Sequence, residues 1–194
     1  PYDVAHRGLP ESYNENSVSG TIAAIKAGAT HVELDCYLTL DNEIAFMHDA
    51  GLARTSTGSG NIEDYTSAQL ENFRLNQFSD EKIPLIEDIA QALKGSDVVL
   101  VLEIKTKKTA VADVLAEKLN GKDLADLKSR LTIISFDRNQ LAKIKEVLPE
   151  IPMADLGGSS SDDLTTILTR SGEYNCAVDY NYGAIDKTKY NRLI

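Results

Sequence analysis

Apolar residues in this chain fall into short blocks of two kinds, and the two kinds alternate. DVAH (3–6), HVELDCYLT (31–39), EIAFMH (43–48), DVVLVLEIK (97–105), LTIIS (131–135), IPMADL (151–156) and CAVDY (176–180) have the composition of strands. Between most of them, apolar positions recur every three or four residues. SVSGTIAAIKAG puts Val18, Ile22 and Ile25 on one face and stops at Gly28, and PLIEDIAQALKG does the same with Ile86, Ile89 and Leu93 ahead of Gly95. Further helices are predicted at 109–119, 138–148 and 162–170. A repeated strand–helix pattern implies parallel strands, and VVLVLEI, apolar on both faces, is what a strand covered on both sides requires. Seven strands of this kind suit either an open doubly wound sheet or an α/β barrel of the (β/α)8 type without its last unit.

Composition narrows the reading. A chain of 194 residues that is 42% hydrophobic can bury one core, and no break divides it, so a single domain over 1–194 is expected. The net charge of −10 repels nucleic-acid phosphate and anionic membrane, and no Lys/Arg block offsets it. No nucleic-acid partner is therefore expected, although a small phosphate compound held by one or two local cations fits. No apolar run is long enough to span a bilayer, so no transmembrane segment is expected. The chain opens on Pro1 and not Met, so the missing leader assigns no compartment. Cys36 and Cys176 have no paired metal-ligand spacing and read as small buried residues.

The polar residues that interrupt the strands carry the chemistry. His6–Arg7 closes the first strand, Glu33 and Asp35 sit in the second, His48–Asp49 closes the third, and Glu103 with Lys105 closes the fourth. Alternate strand residues share a face, so Glu33 and Asp35 point the same way, as do Glu103 and Lys105. Any one of these would be ordinary alone. Together, in strands otherwise made of Val, Ile, Leu and Ala, they would cost several kcal/mol per unpaired ion unless they pair or bind metal. Glu33, Asp35 and Glu103 offer oxygen only, a donor set suited to Mg²⁺ or Ca²⁺ and not to Zn²⁺. Arg7 and Lys105 can hold phosphate oxygens, and His6 and His48 form an acid/base pair near working pH. Metal, phosphate clamp and paired imidazoles read together as phosphodiester cleavage.

HRG at 6–8, NENS at 14–17, GATHVELDCYLTLDNEIAFMHD at 28–49, LARTSTGSGNIEDYT at 52–66, IPLIEDIAQAL at 83–93, LEIK at 102–105 and ISF at 134–136 follow one another in a set that resembles the glycerophosphodiester phosphodiesterases. The resemblance implies a (β/α)8 TIM barrel of the phospholipase-C-like phosphodiesterase type. It also implies hydrolysis of small-molecule glycerophosphodiesters to glycerol 3-phosphate and an alcohol, with one divalent cation, Mg²⁺ or Ca²⁺. Carried over residue by residue, it makes His6 and His48 catalytic, Glu33, Asp35 and Glu103 metal ligands, and Arg7 and Lys105 phosphate contacts. Glu15, the acidic residue of the family's P-E-N motif, joins the polar network. Asn14 replaces that motif's Pro, which alters loop stiffness.

The family's last strand carries a W-T motif, whereas this chain has no Trp and stops at Ile194, so a C-terminally incomplete barrel is expected. A small insertion at about 50–80, containing STGSG (56–60), is expected to cover one side of the pocket. LGGSSSDD (156–163) reads as a turn with an N-cap. Tyr180, Asn181 and Tyr182 are expected at the catalytic rim, and His31 at the opposite end. Two other functions share the fold. A phospholipase acting on intact lipid needs an apolar or basic docking rim, which this acidic chain does not offer. A non-catalytic domain would be expected to have lost a His or a ligand, and none is lost. Oligomeric state is not legible.

Overall fold

The protein is described from a computed structural model, which covers residues 3–157 and the backbone of Ala177–Val178. The predicted helix at 162–170, Tyr180, Asn181, Tyr182, Cys176 and all but the start of LGGSSSDD lie outside the described residues.

The main sheet is built from β1 (Val4–His6), β2 (His31–Leu38), β6 (Val99–Ile104), β7 (Leu131–Ser135), β8 (Met153–Asp155) and β9 (Ala177–Val178), in that spatial order. Every one of these pairs is parallel. A doubly wound sheet reverses its strand order at a switch point, whereas here the order follows the chain without reversal, as in a barrel wall. The fold is therefore part of a (β/α) barrel.

Helices cover the wall from outside. Even-numbered residues of β2 and β6, including Val32, Leu34, Cys36, Leu100, Leu102 and Ile104, are buried in one cluster with residues of α1 (Val18–Lys26), α3 (Ile86–Leu93), α4 (Ala110–Asn120) and α6 (Arg138–Val147). The odd-numbered positions face the other way, and they carry Glu33, Asp35 and Glu103. The helices begin where local chemistry lets them. The Ser17 hydroxyl accepts the Gly20 amide at 2.9 Å to cap α1, and the Asp88 carboxylate accepts the Leu85 amide at 2.9 Å at the start of α3. A short α5 (Ala125–Lys128) precedes β7 and was not predicted, because four residues hold too little periodicity to register.

One expectation is corrected. EIAFMH does not supply a parallel barrel strand. Its core, β3 (Ile44–Phe46), runs antiparallel to β2 and lies off the main strand order. Residues 39–43 close this hairpin, with the Thr39 amide donating to the Glu43 carbonyl at 2.8 Å and Asn42 in the left-handed region at φ 62°. A connection this short cannot return a chain for parallel pairing, which takes about a dozen residues or more. The Asp41–Asn42 turn was the overlooked signal.

Beyond β3, residues 47–85 build a lobe around a second apolar cluster of Met47, Leu52, Ile62, Leu70, Leu75 and Ile83. It contains α2 (Ser67–Leu70) and the antiparallel pair β4 (Arg74–Leu75) and β5 (Glu81–Lys82). The lobe is tied to the β1–α1 loop: Asn14 Nδ2 donates to Ser79 O and Glu81 Oε1, each at 2.8 Å, and the Glu15 amide donates to Gln77 Oε1 at 3.0 Å.

Candidate active site

Strand register does most of the assembly. His6 pairs with Glu33 across β1–β2, and Asp35 pairs with Glu103 across β2–β6. One carboxylate oxygen from each of Glu33, Asp35 and Glu103 lies within 4.8 Å of the others, and all three residues are buried. Lys105 Nζ stands 2.9 Å from Glu103 Oε1 and 3.3 Å from Asp35 Oδ1. His6 Nε2 is 3.8 Å from Glu33 Oε2, with the His6 side chain 68% exposed.

Directly after His6 the chain turns sharply. Arg7 has φ 55° and Gly8 φ 86°, both left-handed. That turn lets the Arg7 amide donate to Glu33 Oε2 at 3.0 Å while its guanidinium lies beside Asp35, Nε to Oδ2 at 3.7 Å. Gly8 is required twice over: by its φ, and because a Cβ there would meet the Gly20 carbonyl carbon at 3.1 Å.

Two residues of this constellation were missed in the sequence. Asn16, next to Glu15 in the NENS run and also left-handed at φ 55°, grips Asp35 twice. Its Nδ2 donates to Asp35 Oδ2 at 2.9 Å, and its Oδ1 accepts the Asp35 amide at 2.8 Å. The P-E-N motif was the available signal. Arg54 was the other omission: it reaches both Asp49 and Glu15. Nothing in the spacing of LARTS announces a contact to residue 15, 39 positions earlier.

His48 lies past the end of β3 and, like Glu15, reaches the carboxylate cluster only through other side chains. It comes to the site through a bracket: His48 Nδ1 to Asp49 Oδ1 at 2.7 Å, Asp49 to Arg54, Arg54 to Glu15 at 2.5 Å, and Glu15 to Arg7 at 3.6 Å. The Tyr37 hydroxyl donates to the His48 carbonyl at 3.3 Å, holding the backbone.

The electrostatics are dominated by the crowding of buried carboxyls. Burial, then the neighbouring Asp35, pushes the Glu33 carboxyl up to about 8. Burial likewise raises Glu103, against the pull of Lys105. His6 is lowered by burial first and by the Arg7 charge second. At Glu15, burial works upward but the Arg54 hydrogen bonds win, and its carboxyl is held below the ordinary range. Among the described residues, the buried oxygens Glu33 Oε1, Asp35 Oδ1 and Glu103 Oε1 have no hydrogen-bond partner. For the latter two, Lys105 supplies an ion-pair contact outside hydrogen-bond geometry. Three buried, converging carboxylates that share a single lysine fit a hard divalent cation, which would offset the negative charge that Lys105 alone leaves uncompensated.

Beside Glu103 and Lys105 opens a cavity of about 440 Å³, walled by Lys107, Phe136, Asp137 and Arg138. Phe136 is 66% exposed there, an apolar surface next to charged groups. Among the described residues, no helix is long and apolar enough to cross a membrane.

Comparison with known proteins bears on the fold and the family. The chain is 25% identical over 153 residues to a glycerophosphodiester phosphodiesterase of Caldanaerobacter subterraneus, a match covering 76% of the chain and 63% of the relative. It is 29% identical over 161 residues to one of Bacillus altitudinis, covering 78% and 64%. The chain thus spans just under two thirds of the length of these curated relatives. An Oleispira antarctica phosphodiesterase, solved in complex with the product sn-glycerol-3-phosphate, superposes with a TM-score of 0.85 at 23% identity, over 100% of this chain and 80% of that one. At that identity the fold is what is shared, and it is the barrel. The sequence also matches the Glycerophosphoryl diester phosphodiesterase family over residues 6–192, and with the site at the strand ends and the barrel order of the wall, the chain belongs to that family.

Proposed function

We propose that this protein hydrolyses glycerophosphodiesters to glycerol 3-phosphate and an alcohol, using one divalent cation, Mg²⁺ or Ca²⁺, held by Glu33, Asp35 and Glu103. The observation that carries the reading is the convergence of three buried carboxylates with Arg7, Lys105 and His6 around them. Family membership supports it.

The bound ion would supply Lewis-acid polarisation of a phosphate oxygen and of the glycerol 2-hydroxyl. The rest falls to the chain's own side chains. Arg7 and Lys105 bind and orient the phosphate, each already anchored by carboxylates so that little side-chain freedom is lost on binding. His6, lowered by burial and by Arg7, is neutral near pH 7 and takes the proton of the 2-hydroxyl as its oxygen attacks phosphorus. His48, backed by Asp49, gives a proton to the departing alcohol oxygen as the P–O bond breaks. Water then opens the cyclic phosphate with the two imidazoles in exchanged roles.

The test is release of glycerol 3-phosphate from glycerophosphocholine in Mg²⁺, in Ca²⁺ and in chelator. Turnover that vanishes with chelator is expected, and His6→Ala and His48→Ala should each lower kcat by about 10²-fold or more. Near-normal turnover in both variants would overturn the assignment. Cleavage of intact phospholipid alone would move the reading to a lipid-directed enzyme.

A further inference from the structure

Arg54 has no place in the metal, phosphate or proton-transfer roles above, yet it sits between two of them. Its Nε donates to Asp49 Oδ2, while its Nη2 and Nη1 meet the two Glu15 oxygens at 2.5 and 3.1 Å. Asp49 is the carboxylate behind His48, at 2.7 Å from Nδ1, and Glu15 is the carboxylate behind Arg7, at 3.6 Å. Glu15 is buried, with 7% of its side chain exposed, so its partner cannot be replaced freely by water. One planar guanidinium, presented from the 3-10 turn Leu52–Arg54, uses both of its edges on groups that belong to different elements of the site.

We propose that Arg54 is a positioning residue: it holds Asp49 against His48 and Glu15 against Arg7, fixing the imidazole in one tautomer while neutralising the carboxylate that fixes it. The role given to His48 rests on the function proposed above, but the bracket itself does not.

The physical argument concerns orientation and charge separately. An Nδ1–H donated to Asp49 leaves Nε2 as the nitrogen that faces substrate, which sets the tautomer. A free carboxylate at 2.7 Å would also favour the imidazolium and draw its pKa upward. With Arg54 on the other oxygen, the pair as a whole is close to neutral, so Asp49 can orient His48 without over-stabilising its charged form. The Asp49 carboxyl, held at about 2 by Arg54 first, stays ionised throughout the working range. Other groups facing His48 are His6 at the end of β1, which the His48 charge helps to lower, and the Tyr37 hydroxyl of β2 on its carbonyl. Neither changes in the variants below.

A lysine could keep the charge but not the bridge, since one ammonium cannot present two edges. That difference gives the test. Ring-nitrogen NMR of His48 is followed against pH in the wild type and in Arg54→Met, Arg54→Gln and Arg54→Lys, without substrate. The wild type should show a single Nδ1–H tautomer. Removing the cation in the Met or Gln variant should raise the His48 pKa by about half a unit or more, and move the corresponding limb of kcat/KM with it. Arg54→Lys should return the pKa to the wild-type value while leaving KM raised, because Glu15 no longer holds Arg7. An unchanged His48 titration in a folded Met or Gln variant overturns the proposal, and so does a KM fully restored by lysine. Because the NMR arm needs no turnover, a failure of the proposed activity would be seen separately, in the wild type's own assay.

Discussion

Asp35 shows how closely the groups of the site hold one another. Its charge is surrounded by Arg7 at 3.7 Å and Lys105 at 3.3 Å, and Asn16 clamps its backbone amide and its Oδ2. Asn16 is buried and left-handed, so it meets two conditions that few residues satisfy together: a short amide side chain and tolerance of φ 55°. Asn16→Ala should leave Asp35 free to rotate and weaken divalent-ion affinity by about 10- to 100-fold, measured by titration calorimetry. Unchanged affinity would mean that Asp35 is oriented by the two cations alone.

At the scale of elements, the β2–β3 hairpin deserves the closest attention because it delivers His48. Its antiparallel return leaves Phe46 opposite Cys36 and puts residue 48 beyond the strand, where the Met47 amide still donates to the Asp35 carbonyl at 3.0 Å. The turn depends on Asn42 at φ 62°. Asn42→Gly should be close to neutral, whereas Asn42→Val should destabilise by about 1–2 kcal/mol through strain in the left-handed region, read as a lower urea midpoint. Equal midpoints for the two would show that the turn relaxes into another conformation.

For the whole molecule, the concentration of buried negative charge makes stability depend on pH in an unusual direction. Glu33 titrates at about 8 in the fold against 4.5 unfolded, so between those values the native state keeps a proton that the unfolded chain releases. Native protein therefore loses stability as pH rises through this window, by up to about 1.4 kcal/mol per unit. Glu103 acts in the same sense. Glu15 and Asp49, both lowered, have delivered their full contribution above their unfolded values and do not vary there. His6, also lowered, works oppositely as pH rises toward 6.5, but it is largely exposed and screened. In chelator, Tm should fall from pH 5 toward pH 8, and added Mg²⁺ or Ca²⁺ should restore it more at the higher pH, since ligation needs the ionised carboxylate. Glu33→Gln should flatten the fall in chelator and reduce the metal response. A flat wild-type profile in chelator would show that Glu33 is ionised in the free protein.

The sequence by itself determined most of the parallel strands and the identity of most of the groups on them, while the order that makes them a barrel wall came from the tertiary structure. Runs such as VVLVLEI can be satisfied only by burial on both faces, and the period of two puts Glu33 and Asp35 on one face of their strand and Glu103 and Lys105 on one face of theirs. Those are local consequences of backbone geometry, so they survive without coordinates. What the sequence left open involved contacts between distant segments. The direction of β3 was decided by a five-residue connection, and the partnership of Arg54 with Glu15 and of Asn16 with Asp35 by the meeting of loops. Such pairings leave no periodic trace, because the loops that make them have no repeating geometry. Only the tertiary fold, by closing the β1–α1 loop over β2 and tying residues 47–85 to it, brought His48 and its bracket to the carboxylates.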